Sequence, residues 1–199
     1  HIVSHGIFGT SCEIHMDGEL IRAEIKVPGQ HQVTNTLAAV RVAKLLGLDM
    51  EQMTRGIASV VPIAGRNRII QEGNFTLIDD CYNANPVSMK AALDLLSLAD
   101  TRKVAILGDM FELGENSDML HSDVGCYAKG KTDLLICIGE NAKHIYDGAK
   151  EAGVAHIYHF TDKESFLREK ENLLQAGDTI LLKASHGMAF ETLISQLLQ

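Results

Sequence analysis

Leu77-Ile-Asp-Asp-Cys-Tyr-Asn-Ala-Asn-Pro-Val-Ser-Met-Lys-Ala-Ala-Leu93 is where a short buried strand hands over to a helix, with two carboxylates and two amides at the junction. Phe75 to Ile78 is an apolar run bounded by Gly73-Asn74 and Asp79-Asp80. Beyond Pro86, Met89, Ala92, Leu93 and Leu96 recur at helical spacing. Pro86 suits a first helical turn, where its missing N–H is no loss. In an open parallel sheet the ligand crevice lies outside the carboxyl ends of the strands, facing the positive end of the next helix. Asp79 and Asp80 are therefore expected at a mouth and not in a core.

The same grammar continues outward. Apolar strands are predicted over residues 104–107, 134–138, 156–160 and 179–183, alternating with amphipathic helices over 86–98, 117–128, 141–152, 163–174 and 188–198. Short apolar strands joined by helical crossovers give an α/β fold with a doubly wound, mostly parallel sheet. This region is expected to begin at Gly65, after the break marked by Pro62 and Gly65. Residues 1–64 read differently. Ile7 to His15 and Leu20 to Val27 are separated by Met16-Asp17-Gly18-Glu19, a hairpin signal. A helix follows from His31 to Leu46 with Val33, Leu37, Val40, Ala43 and Leu46 on one face, and a second covers 50–57. Residues 1–64 are thus expected to be a small α+β tail of an upstream domain. The chain opens on His1 and not on Met, which fits a piece cut from something longer.

Composition narrows the function classes. A net charge of −8, with 18 spread-out basic residues, argues against broad contact with nucleic acid or an anionic membrane. No apolar run approaches the roughly 20 residues of a membrane span, and no signal segment opens the chain. A cytoplasmic setting is expected. Cys12, Cys81, Cys126 and Cys137 lack paired spacing, so reduced thiols are the default.

The one string with the letters GxxxxGK[ST], Gly125 to Thr132, closes a predicted helix instead of following a strand, so it is not read as a phosphate loop. No GxGxxG is present, and neither HExxH nor a Cys-rich zinc pattern occurs, so no metal site is predicted. Ala184-Ser185-His186-Gly187 does not supply a GxSxG elbow. His31 and Asn35, four apart at a helix start, face the same way and read most simply as a helix-end hydrogen-bonding pair. Each predicted strand ends in small or polar residues: Asp79-Asp80, Gly108-Asp109, Gly139-Glu140, Thr161-Asp162 and Ser185-His186-Gly187. Such residues either receive a ligand or cap the next helix, and for Thr161-Asp162 capping is the commoner use. Arg66, at the domain boundary, is either a solvated arginine or a cation able to reach a phosphate held next door.

Several blocks, in order, resemble the C-terminal part of a Mur ligase. They are Pro28-Gly-Gln-His-Gln-Val-Thr-Asn-Thr-Leu-Ala-Ala39, Gly65-Arg66, Leu77 to Pro86 with Ser88 to Leu93, Leu107-Gly-Asp-Met-Phe-Glu-Leu-Gly114, His121, and Lys183-Ala-Ser-His-Gly-Met188 with Glu191. Within that family the Tyr-Asn-Ala-Asn-Pro and Gly-Asp-Met-x-Glu-Leu-Gly blocks are similar to the members that add a dipeptide rather than a single amino acid.

The resemblance implies a three-domain enzyme. Residues 1–64 would be the C-terminal portion of its central ATPase domain, and 65–199 its Rossmann-like C-terminal domain. The implied reaction is ATP-dependent amide formation between D-alanyl-D-alanine and UDP-N-acetylmuramoyl-tripeptide through an acyl phosphate, by a monomer in peptidoglycan precursor synthesis. ATP and Mg²⁺ are the implied cofactors, with the phosphate loop and the Mg²⁺ ligands upstream. By the same resemblance His31, Gln32 and Asn35 match a segment against the adenine, Gln32 replacing the usual Asn. Arg66 matches an arginine that reaches the terminal phosphate. Asp80, or Asp79 one residue away, matches the acid on the ribose, and Tyr82, Asn83 and Asn85 would line the same crevice. Cys81 stands where Ser is usual. Asp109, Met110, Glu112 and Leu113 would help form the dipeptide pocket with Ser185 and His186, the last replacing a common Arg. Two other readings stand beside this one: another amino-acid ligase of the superfamily, of the folylpolyglutamate or cyanophycin synthetase type, and a nucleotide-binding module without chemistry.

Overall fold

A computed structural model describes residues 1–29 and 31–198. Gln30, inside the first matched block, lies outside the described residues. The chain separates into two compact units, His1–Ile63 and Ala64–Gln199.

The first unit is a three-stranded antiparallel sheet, β1 (Ile2–Ser4), β2 (Thr10–Met16) and β3 (Glu19–Ile25), followed by helices α1 (His31–Leu45) and α2 (Met50–Ser59). The β2–β3 turn places Asp17 and Gly18 at φ 52° and 81°, the left-handed pair that a two-residue hairpin requires. Alternation on β3 sends Ile21, Ala23 and Ile25 into a core with Cys12, Ile14, Val33, Val40 and Met53. An Asp49–Gln52 capping box starts α2. Two expectations need correction. The first strand does not begin at Ile7, because Gly6–Phe8 forms a 3₁₀ turn and Gly9 breaks the chain at φ 116°. The α1 stripe is narrower than its periodicity suggested. Val33 and Val40 are buried, but Leu37 and Leu46 are 46% and 75% exposed, because the small sheet covers only one line along the helix.

The second unit carries a six-stranded sheet in the order β4-β5-β9-β6-β7-β8. Its elements are β4 (Arg68–Glu72), β5 (Phe75–Asp79), α3 (Pro86–Leu96), β6 (Lys103–Gly108), α4 (Ser117–Tyr127), β7 (Leu134–Ile138), α5 (Ala142–Ala152), β8 (Ile157–Phe160), α6 (Lys163–Leu173), β9 (Thr179–Lys183) and α7 (Glu191–Leu197). Only β4 runs antiparallel, as a hairpin partner of β5. The last strand, β9, inserts between β5 and β6 and pairs in parallel with both. Leu77, Val104, Ile106, Leu134, Ile136, Ile180 and Leu182 form one face, under Phe166 of α6 and Leu193 and Leu197 of α7. Helices α3 and α5 pack on the other face. Burying one such side chain contributes about 2 kcal/mol, whereas exposed pairs such as Arg55–Glu51 contribute under about 1 kcal/mol, so apolar burial holds the sheet.

Helices α4 and α5 cross closely at two glycines. A Cβ at Gly125 would lie 1.9 Å from the Ile145 carbonyl oxygen, and one at Gly148 would lie 2.2 Å from that of Ser122. The final helix starts later than its periodicity predicts. His186–Met188 forms a separate 3₁₀ turn, and Ala189 at φ 49° turns the chain before Glu191. Phe190 then packs over Gly108, where any Cβ would lie 2.6 Å from its ring. No described helix is long and apolar enough to cross a membrane.

Candidate functional site

The carboxyl ends of β5, β9 and β6 lie side by side and form the rim on which most of the candidate residues of the second unit sit. Here Asp79 departs from expectation: it is 3% exposed and belongs to the interior. Its carboxylate accepts the Gly65 N–H at 2.9 Å and the Cys81 N–H at 3.4 Å, so it joins the start of the unit to the end of β5. Cys81 itself is buried, which pushes its thiol well above the usual range, and its Sγ contacts the Leu182 carbonyl at 3.4 Å. It is inert packing at this rim.

Asp80 is partly open. Its Oδ2 lies 2.6 Å from Lys183 Nζ, and its Oδ1 accepts the Asn67 N–H at 3.3 Å. Burial pushes the Asp80 carboxyl up, and the Lys183 ammonium opposes that shift without cancelling it. Lys183 is 2% exposed and also donates to the Asn83 carbonyl at 2.8 Å. Lys183 falls within a matched block of the sequence but carries no expected role there. The available signal was a lysine closing the apolar strand Thr179-Ile-Leu-Leu-Lys183, which a buried strand tolerates only with a carboxylate beside it.

Arg66 is exposed and stacks over the Tyr82 ring, with Cζ 4.1 Å from the centroid. Tyr82 in turn stands 6.1 Å from the His186 ring, so a cation, a phenol and an imidazole line one exposed edge. Gly65 and Asn67, at φ 76° and 48°, flank Arg66, and the Tyr82 N–H donates to the Gly65 carbonyl at 3.0 Å. Asn67 was missed, since a left-handed residue leaves little trace in sequence. Asn83 is exposed, its oxygen accepting the Ala84 N–H. Asn85 is the N-cap of α3, exchanging hydrogen bonds with Ser88. Its carboxamide oxygen is thus engaged in capping.

The loop after β6 is held from three sides. Asp109, 5% exposed, caps α5 by accepting the Ala142 N–H at 2.7 Å, and its carbonyl accepts the Ser185 N–H. The Met110 N–H donates to Nε2 of His121, and the Phe111 N–H to Oγ of Ser185. Met110 is 1% exposed and Ser185 is 3% exposed, so both side chains support the loop from beneath. Phe111 and Glu112 remain exposed, Leu113 is half-buried, and Glu112 adopts φ 62°. The structure thus brings Arg66, Asp80, Tyr82, the 109–113 loop and Ser185–His186 to one rim.

His31, Gln32 and Asn35 belong to the first unit. Gln32 bonds the His31 ring and accepts from Asn35, giving a continuous polar edge at the start of α1. Among the described residues no group of three or more His, Cys, Asp or Glu side chains is placed to hold a metal ion.

Residues 65–186 match the family model for the Mur ligase, glutamate ligase domain. The UDP-N-acetylmuramoyl-tripeptide–D-alanyl-D-alanine ligase of Bacillus subtilis (strain 168) is 31% identical over 88% of this chain and 39% of its own length. That of Synechocystis sp. is 35% identical over 98% and 44%. In structure, MurF from Acinetobacter baumannii superposes with a TM-score of 0.88 at 29% identity, over 96% of this chain and 43% of that one. The chain thus spans about two-fifths of the relatives it matches. With a family model covering more than half its residues, the chain belongs to the Mur ligase family.

Proposed function

We propose that the protein containing this chain is an ATP-dependent amide ligase that joins D-alanyl-D-alanine to UDP-N-acetylmuramoyl-tripeptide, acting as a cytoplasmic monomer. Residues 65–199 are its C-terminal Rossmann-like domain and residues 1–64 the end of its central ATPase domain. The exposed apolar residues Leu37, Leu45, Leu46 and Leu48 support the second assignment, since a finished domain covers such surface. The observation that carries the reading is the gathering of a stacked arginine, a carboxylate and a triply anchored loop at the carboxyl ends of three adjacent strands, in a chain whose 31–35% identical relatives bear that ligase's name.

ATP, when bound, supplies the phosphoryl group that activates the tripeptide carboxylate as an acyl phosphate. Phosphoryl transfer depends chiefly on positioning and charge neutralisation. Arg66 places a fixed positive charge at the rim for the terminal phosphate, with Tyr82 holding its guanidinium plane. Asp80 offers a carboxylate to the ribose hydroxyls. His31, Gln32 and Asn35 present donors and acceptors to the adenine edge. The 109–113 loop, with Ser185 fixing Phe111 and His186 beside it, shapes the pocket for the incoming dipeptide. Mg²⁺ ligands are assigned to the protein outside this chain.

ADP release by the full-length protein, measured with UDP-N-acetylmuramoyl-tripeptide and either D-alanyl-D-alanine or glutamate, tests this. Release with the dipeptide alone is expected. Release with glutamate alone would transfer the chain to the single-amino-acid ligases, and nucleotide binding without release in either case would make it a module without chemistry.

A further inference from the structure

The rim contains one buried charge that the reading above leaves unused. Lys183 is 2% exposed at the end of β9, between β5 and β6, and its ammonium is shared among the Asp80 carboxylate at 2.6 Å, the Asn83 carbonyl at 2.8 Å and the Asp80 carbonyl at 3.4 Å. Its three protons are matched by three acceptors, so it has no donor left for a substrate.

Its partners lead to Arg66. The Asp80 oxygen not held by Lys183 accepts the N–H of Asn67, the left-handed residue immediately after Arg66. On the other side of Arg66, the Gly65 N–H binds Asp79 and the Gly65 carbonyl accepts the Tyr82 N–H. Tyr82 lies in the 80–83 segment that Lys183 grips through two carbonyls, and its ring carries the Arg66 guanidinium. Backbone on both sides of Arg66, and the ring beneath it, are thus tied to a segment fixed by one ammonium.

We propose that Lys183 is a positioning residue that, through Asp80, Asn67 and Tyr82, sets the Arg66 guanidinium at the rim. Arg66 is exposed and has no ion-pair partner among the described residues, so its direction depends on the turn that carries it and on the ring below. A buried ammonium with a satisfied carboxylate fixes such a turn better than solvent-exposed contacts do, because its geometry is over-determined. The consequence for catalysis rests on the proposed role of Arg66 in phosphoryl transfer.

The test is a double-mutant cycle in the full-length ligase, Lys183→Met with Arg66→Ala, reading kcat at saturating ATP so that any lost ribose contact through Asp80 drops out. Lys183→Met is expected to lower kcat about tenfold in the native background and under about twofold in the Arg66→Ala background, because its effect passes through Arg66. An equal fall in both backgrounds would reduce Lys183 to general structural support and overturn the proposal while leaving the ligase reading intact. A silent Arg66→Ala would remove both the arginine's role and Lys183's route to catalysis. A second readout needs no activity: the Nε–H resonance of Arg66, shifted by the Tyr82 ring, should move to the position of a free arginine in Lys183→Met. An unmoved resonance would overturn the positioning itself. If Lys183→Met does not fold, Lys183→Ala, which removes every donor and leaves room for water beside Asp80, takes its place in both measurements.

Discussion

His121 receives the backbone N–H of Met110 on Nε2 at 2.9 Å and lies 2.8 Å from the Ser117 carbonyl through Nδ1. An N–H donor on one side and a carbonyl acceptor on the other require the neutral ring with its proton on Nδ1. The histidine is 0% exposed and links α4 to the loop at the end of β6. His121→Ala would leave a buried N–H unpaired and a cavity in its place. It should lower unfolding stability by about 3 kcal/mol, seen as a reduced denaturant midpoint. A midpoint within experimental error of the native protein would show that the loop holds without it.

The α4–α5 crossing depends on the absence of side chains at Gly125 and Gly148, whose added Cβ atoms would meet backbone oxygens. Backbone cannot rotate away as a side-chain tip can. Gly148→Ala should therefore destabilise the protein by about 2–3 kcal/mol although alanine is the better helix former, and thermal denaturation should show a Tm several degrees lower. A raised Tm would mean the helices separate without penalty.

Glu112 adopts φ 62°, a conformation that costs an L residue about 1 kcal/mol, while staying exposed on an anchored loop. Strain kept at an exposed side chain points to use of that side chain. Under the proposed ligase function, Glu112→Gly in the full-length protein should keep or slightly raise stability while raising the KM for D-alanyl-D-alanine by about tenfold, the loss of one charged contact. An unchanged KM would remove Glu112 from the dipeptide pocket.

Asp162 caps α6 by accepting the Ser165 N–H at 2.7 Å, and that bond holds its carboxyl below the ordinary aspartate range. A lowered folded-state value means the contribution is present above the unfolded value near 3.8 and is lost as pH falls through the folded one. Asp162→Ala should therefore lower Tm at pH 7 and converge with the native protein in acid. A Tm difference constant from pH 7 to pH 2 would contradict capping by the carboxylate.

Much of the second unit was legible because its strands are continuous apolar runs and its helices carry a clear period. Both signals are local. Thr161-Asp162, where capping is the commoner use, does cap α6 through Asp162, since capping is settled within three residues. Asp79, expected at a mouth, is instead an interior acceptor, and Asp109, for which ligand contact and capping both stand open in the sequence, caps α5 from the interior. Their partners, Gly65 and Ala142, lie 14 and 33 residues away, beyond any local pattern.

By itself the sequence determined the alternation of strands and helices, the hairpin at Asp17-Gly18 and the polar character of each strand end, because propensity and periodicity act over a few residues. Only tertiary structure decided that β9 enters between β5 and β6, which brings Lys183 to Asp80 across 103 positions. That pairing arises because a lysine buried by its neighbours in the sheet must find a carboxylate and carbonyls within reach, and which ones are near is fixed by strand order.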